Sequence, residues 1–339
     1  MQVLVYEWVS GGGLLEHDGP LPPSLLREGS SMAKAVAEDF ACLPGAEVLL
    51  LRDNRAMGLA AKGCRIQTVD SPGERDELLE QQFHEADAVL LIAPETDGSL
   101  LRLCQHAEQA GARLISPGSA FIEIAGDKGR TADLLAAAGV RVPGGVTVDE
   151  GALLPSNHPY PAVLKPIDGA GSEDTYLMYD SSEHPPDYAW AQRLEPFVSG
   201  MAASVAVLLS DAGPTPLMPC RQRLSADGRF RYLGGSAPLD PGLAERAEAI
   251  SLQAIAAMPK TRGYVGLDIV LGADPSGVED HVIEINPRLT TSYAGLRFAA
   301  TSSLAQAMLD SARGEPVQLD FDQRAIIFDP DGIVSYVEP

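Results

Sequence analysis

The sequence predicts an α/β protein: an open parallel α/β sheet at the N-terminal end, then two α+β regions. Over residues 1–118, apolar strand-like runs alternate with helix-periodic ones, as in parallel sheets covered on both faces. From residue 119 onward, strand-like runs dominate, separated by turns that contain Gly and Pro. Near the far end, His281-Val-Ile-Glu-Ile-Asn-Pro-Arg288 reads as a buried strand with a charged tip.

Each element has a local reason. QVLVYEWV is an apolar strand, and Gly11-Gly12-Gly13 breaks it. SSMAKAVAEDFACL has helical spacing, with Ser30 or Ser31 as its cap. AEVLLLRD is a second strand, DELLEQQFHEA a helix and DAVLLIAPE an apolar strand. SLLRLCQHAEQAG is a helix that stops at Gly111, and RLISPG is one more strand. Ligands in such sheets bind at the carboxyl ends of strands, here Glu7–Gly13 and Glu95–Gly98. A second region, 119–190, holds two short helices around Gly126-Asp127-Lys128, then strand, Gly-rich turn and strand in YPAVLKPIDGAGSEDTYLMY. A third, 191–339, is rich in strands, with helices at LAERAEAISLQAIAAM and SLAQAMLDSARG and a closing hairpin in AIIFDPDGIVSYV.

Composition narrows the function. A 339-residue chain with 45% hydrophobic and 21% charged residues fits a globular enzyme of two or three domains. Its formal net charge of -22 argues against nucleic acid and anionic membrane as partners. No apolar run reaches transmembrane length, and the first residues carry no leader-like segment. Cys42, Cys64, Cys104 and Cys220 are widely separated and lack zinc spacing, so they read as buried free thiols in a reducing cytoplasm.

The chemistry concentrates at a few positions. Side chains alternate along a strand, which puts Glu284 and Asn286 on one face and Ile283 and Ile285 on the other. VGLDIVLG is a second apolar strand carrying one acid, Asp268. Paired as a hairpin, the two strands would bring three hard oxygen ligands together, a set suited to Mg²⁺. Arg288, past the strand end, suits a phosphate or carboxylate. Lysine is scarce, with Lys34, Lys62, Lys128, Lys165 and Lys260 the only ones. Lys165 ends the strand AVLKP, where its charge needs an anion. The loop after it, with Gly169, Gly171 and Ser172, offers backbone N–H groups to phosphates or is an ordinary turn. In RLEPFVSG, Glu195 and the backbone at Phe197 and Val198 could read the edge of a base, or Pro196 could mark an edge strand. Ser10 with Gly11, Gly12 and Gly13 could hold a carboxylate through backbone N–H groups, or form a tight turn.

The ordered set Lys128, Lys165, Gly-rich loop, Glu195-Pro-Phe-Val, Asp268 and Glu284-Ile-Asn-Pro-Arg288 resembles the ATP-grasp superfamily of carboxylate–amine ligases over residues 119–310. Within it, LVYEWVSGGGL, LIAPE and INPRLTTSY look most like the tyramine–glutamate ligases of methanofuran synthesis, a one-carbon cofactor pathway, and their bacterial relatives. The resemblance implies an ATP-grasp fold in which an N-terminal α/β domain (1–118) precedes a lid (119–190) and a core with a C-terminal hairpin (191–339) that clasp ATP. It implies that Lys128 and Lys165 contact the phosphates, with the 169–175 loop closing over them, and that Glu195, Phe197 and Val198 hold adenine. Asp268, Glu284 and Asn286 would bind one or two Mg²⁺ ions, or Mn²⁺. Arg288 would stabilise the transferred phosphoryl group, and Thr290, Thr291 and Ser292 would line the acceptor site. Many relatives have a ribose-binding acid just after the adenine hinge, where this chain has Met201-Ala-Ala-Ser204.

The expected reaction is amide formation through an acyl phosphate, on a small carboxylic acid and an amine, with Glu7 or Glu95 as candidate proton acceptor. A homodimer is admitted. Another amino-acid or peptide ligase, and a non-catalytic nucleotide-binding regulator, are the competing readings. A dinucleotide oxidoreductase would need GxGxxG after the first strand, and SGGGLLEHDG does not supply it.

Overall fold

Strand β1 (Gln2–Glu7) is apolar on both faces and lies inside a four-stranded parallel sheet, ordered β3-β2-β1-β4. This computed structural model describes residues 1–186 and 188–337. The neighbours of β1 are β2 (Glu47–Asp53) and β4 (Ala88–Ile92), and β3 (Arg65–Val69) adds an edge that the mixed composition of RIQTV did not announce. The helices that cover the sheet are α1 (Pro23–Ala41), α2 (Pro72–Glu85) and α3 (Ser99–Gln109). α1 begins well before Ser30 and Ser31, which lie inside it. Pro23 starts it, because a first-turn proline lacks only an N–H that the helix would not use. RLISPG is not a full strand. It makes a single bridge, Leu114 to Val89, before Pro117 turns the chain away.

The helices α4 (Ser119–Ala125) and α5 (Lys128–Ala137) follow, with Asp127 capping α5 by accepting from the Arg130 N–H at 2.9 Å. Next comes a small antiparallel sheet, ordered β5-β8-β6-β7. Its strands are β5 (Val146–Val148), β6 (Ala162–Pro166), β7 (Tyr176–Met178) and β8 (Gln192–Pro196). A division at residue 190 cuts across this sheet, because β8 pairs with both β5 and β6. α4 and α5 belong with the large sheet instead: Phe121, Ala125 and Leu135 share a core with Val205, Leu267 and Ile285.

The large sheet has eight strands. They are β9 (Met201–Ser210), β10 (Gly213–Pro216), β11 (Cys220–Leu224), β12 (Tyr232–Ala237), β13 (Gly263–Leu271), β14 (His281–Asn286), β15 (Ile326–Phe328) and β16 (Val334–Tyr336). The path runs β14-β13-β9-β11-β12-β15-β16, with β10 on β9. β15 and β16 form the expected closing hairpin. Helices α6 (Pro241–Ala257), α7 (Tyr293–Ala299) and α8 (Leu304–Ala312) complete the region. Alternation along β9 positions the site. Ala203, Val205 and Val207 face the core under α6, while Ala202 and Ser204 open into a cavity on the other face.

All four cysteines are free, but only Cys104 and Cys220 are buried, and Cys42 is exposed. Among the described residues, no helix is long and apolar enough to cross a membrane.

Candidate active site

The β13–β14 hairpin sets Asp268 directly opposite Glu284, with Asn286 opposite Gly266. The register slips by one residue beside this pair, so Ile283 is extra on β14. That bulge overturns strict alternation. Val282 and Ile285 share the core face, and Ile283 joins Glu284 in lining the cavity. The Asn286 Nδ2 donates to Asp268 Oδ2 at 3.3 Å, and Gln222 Nε2 on β11 donates to the other Asp268 oxygen at 2.7 Å.

The acids are electrostatically unequal. Burial, then the Glu284 carboxylate, push the Asp268 carboxyl well above the usual range. Burial also raises Glu284, but Lys128 and Lys165 outweigh it and hold this carboxyl low. Two adjacent half-buried carboxyls disfavour ionising together, and a cation between them would relieve that. Their oxygens and the Asn286 amide oxygen are hard donors, so the set fits Mg²⁺.

The cations that line the cavity are each matched to an acid. Lys128, at the start of α5, reaches Glu284 Oε2 at 3.2 Å and donates to the Gly169 carbonyl at 2.5 Å. Burial works against its charge, yet Glu284 and Glu95 outweigh burial and raise its pKa. Lys165, at the end of β6, reaches Glu195 Oε2 at 2.7 Å, and Arg193 Nε donates to Glu195 Oε1 at the same distance. Arg288 holds Glu95 in a two-pronged pair, at 3.0 and 3.2 Å. Glu95 therefore stands behind Arg288 and does not line the cavity.

Val163, Phe197, Val198 and Val270 give the cavity an apolar lining near the hinge. Both Glu195 oxygens are engaged by cations, and the Phe197 N–H donates to the Pro161 carbonyl at 2.9 Å, which removes that donor from a base edge. No acid stands at Met201–Ser204, where Ala202 and Ser204 line the wall. In the loop after β6, Gly169, Gly171 and Ser172 line the cavity, with Gly171 and Ser172 at positive φ. Thr290, Thr291 and Ser292 line the other end.

The first-strand loop does not join them. Glu7 accepts from the Val9 and Ser10 N–H groups at 3.1 and 2.7 Å and from the Ser10 hydroxyl at 2.5 Å. Burial nonetheless raises its pKa. A Cβ at Gly11 would meet the Glu7 carbonyl at 2.4 Å, and one at Gly13 would meet the Trp8 ring at 2.3 Å. Glu7, Ser10, Gly11, Gly12 and Gly13 thus form a tight turn outside the cavity lining, and the glycines serve close packing.

Sequence reasoning missed Glu28 on α1, Gln222 on β11, Phe230 just before β12 and Tyr232 at its start, all of which line the cavity. Phe230 lies just before β12 with a left-handed backbone, so strand alternation does not place it beside Tyr232. Glu28 carries no sequence signal, since an acid near a helix start is ordinary.

A parallel N-terminal sheet joined to two antiparallel sheets, with acids and lysines meeting between them, defines a nucleotide-dependent ligase architecture. Matches to known proteins agree. A family model of the ATP-grasp domain matches residues 125–292, and one of the pre ATP-grasp 3 domain matches residues 46–122. The chain belongs to the ATP-grasp superfamily and is an ATP-dependent ligase that forms C–N bonds. It resembles the tyramine–L-glutamate ligase of Methanocaldococcus jannaschii, with 24% identity over 319 residues, 93% of this chain and 91% of that one. A D-alanine–D-alanine ligase of a Caulobacter species is 31% identical over 143 residues, 37% of this chain and 44% of that one. An ATP-grasp superfamily protein from Archaeoglobus fulgidus has the same fold, at TM-score 0.72 and 22% identity, over 97% of this chain and 92% of that one.

Proposed function

We propose that this protein joins glutamate to tyramine, or to a close relative of that amine, by way of an acyl phosphate. The observation that carries the reading is the meeting of Asp268, Glu284 and Asn286 with Lys128 and Lys165 in one cavity. Similarity to tyramine–L-glutamate ligase over nearly the whole chain supports the substrate pair.

The residues divide the work. Asp268, Glu284 and Asn286 would hold Mg²⁺, which neutralises phosphate charge when bound. Lys128 would exchange Glu284 for a phosphate oxygen, and Lys165 would reach the phosphates from beside Glu195. Val198 and the carbonyl of Phe197 would meet the adenine edge, since the Phe197 N–H is already used. The substrate carboxylate attacks the γ-phosphorus of ATP, releasing ADP and leaving an acyl phosphate. The amine nitrogen, once its ammonium has given up a proton, attacks the acyl carbon; the amide forms, and the leaving inorganic phosphate can take the proton the nitrogen then sheds. Arg288, held by Glu95, would stabilise charge on the phosphoryl oxygens as they transfer. This reading includes the three-part clasp of N-terminal domain, lid and core, and a cytoplasmic setting where ATP is available.

ADP release with MgATP, glutamate and tyramine tests it. Release should require both the acid and the amine and should yield γ- or α-glutamyltyramine by mass spectrometry. No ADP release across a wide panel of amino acids and amines would reject ligation of this kind.

A further inference from the structure

Beside Arg288, the cavity wall holds Glu28, Tyr232 and Thr291, which the phosphate and metal groups leave unused. Glu28 comes from α1, so the N-terminal domain supplies it. Leu25, almost one turn earlier, lies 3.3 Å from where a Cβ on Gly171 would sit, which brings this part of α1 against the loop after β6.

Charge matching singles Glu28 out. Lys128, Lys165 and Arg288 line the cavity, and each is paired with another acid: Glu284, Glu195 and Glu95. Among the described residues, Glu28 has no such ion pair. Burial raises its pKa, with Arg288 and Arg27 opposing and Glu173 of the nearby loop adding to the rise. A partly buried carboxylate without an ion-pair partner gains from a cation brought by a ligand. A second carboxylate here would instead meet Glu28 and Glu173, and the Arg288 guanidinium beside them is already held in a two-pronged pair by Glu95.

We infer that Glu28 binds the ammonium group of the acceptor substrate, and that the acceptor is a primary amine with no carboxylate beside its nitrogen. This rests on the ligase reading above, and it separates a decarboxylated amine from the parent amino acid. Tyr232, at the start of β12, gives the rest of the acceptor an aromatic wall.

Wild-type ADP release tests the ligase reading by itself. Calorimetry then tests the subsite, on protein holding Mg²⁺ and a non-hydrolysable ATP analogue, with tyramine, tyrosine and glutamate as probes. Wild-type protein should bind tyramine at least about tenfold more tightly than tyrosine, because like charges at a binding site are strongly disfavoured. Glu28→Gln should weaken tyramine about tenfold through loss of a charge-assisted hydrogen bond, and should narrow the gap to tyrosine. Glu28→Asp should recover part of that loss, while glutamate and the ATP analogue keep their affinities in both variants. Equal binding of tyramine and tyrosine, no heat with tyramine, or a loss confined to glutamate would each overturn the assignment. Tyramine binding without ADP release from any pair would reject ligation while leaving the amine subsite standing.

Discussion

Glu284 shares one carboxylate between a cation and an acid. Its Oε2 lies 3.2 Å from Lys128 Nζ, and its partner across the hairpin is Asp268. Replacing it with Gln keeps the shape and removes the charge. Lys128 loses its anion, and Asp268 loses the neighbour that resists its ionisation. These changes oppose each other in stability, so the fold should survive, with circular dichroism unchanged. Turnover should not survive, since even a residue that only supports a metal ligand commonly costs about 10–100-fold. A metal ligand should cost at least ~100-fold, with a raised Mg²⁺ requirement. Full activity in Glu284→Gln would remove this residue from the metal site.

Contacts between elements close the site from above. The β11–β12 turn reaches the small sheet: the Leu177 N–H donates to the Gly228 carbonyl at 2.8 Å, and the Arg229 guanidinium lies 3.8 Å over the Tyr176 ring. Phe230 stacks on Phe197, with ring centroids 6.1 Å apart and planes 25° from parallel. Aromatic pairs contribute about 0.5–1.5 kcal/mol beyond their burial. Phe230→Ala should therefore weaken nucleotide binding by about two- to tenfold, through a looser closure, with the Glu284 chemistry intact. Fluorescent-nucleotide titration would read it, and an unchanged affinity would detach this turn from closure. The same elements mark what the sequence could disclose. β4, β6 and the β13–β14 hairpin were legible because their apolar runs are interrupted by few charged residues. β3 was not, because an edge strand needs no apolar run. RLISPG misled for the opposite reason, since it has the composition of a strand but too little length before Pro117. The acids and lysines of the site were readable from type and order. Which partner each one holds was not, because pairs such as Arg288–Glu95 join residues 193 positions apart.

At the scale of the whole molecule, the N-terminal sheet and the large sheet share one hydrophobic core. Val3, Val5, Leu50 and Ile92 of the first lie in the same cluster as Ala206, Leu208, Ile326 and Phe328 of the second. Helix α1 joins them, packing on its own sheet and against α7 and α8. A polar clasp reinforces the joint: Tyr293 Oη and Arg297 Nε of α7 both donate to the Asp39 carboxylate of α1, each at 2.8 Å. Burial raises the Asp39 carboxyl despite Arg297, so desolvation offsets part of what the clasp contributes. The small sheet has a separate core around Val148, Leu164 and Leu194. Parts that share a core cannot unfold separately without exposing it. Calorimetry should therefore show the N-terminal and large-sheet regions melting in one transition, with any early step belonging to the small sheet. Tyr293→Phe should lower that main transition by only about 1–3 °C, the scale of one hydrogen bond in a chain of this size. MgATP should raise the transition as a whole, because the groups proposed to hold it come from β6, β13 and β14, and binding stabilises whatever must be folded to form the site. Two well-separated melts for the N-terminal and large-sheet regions would show that the shared core does not couple them.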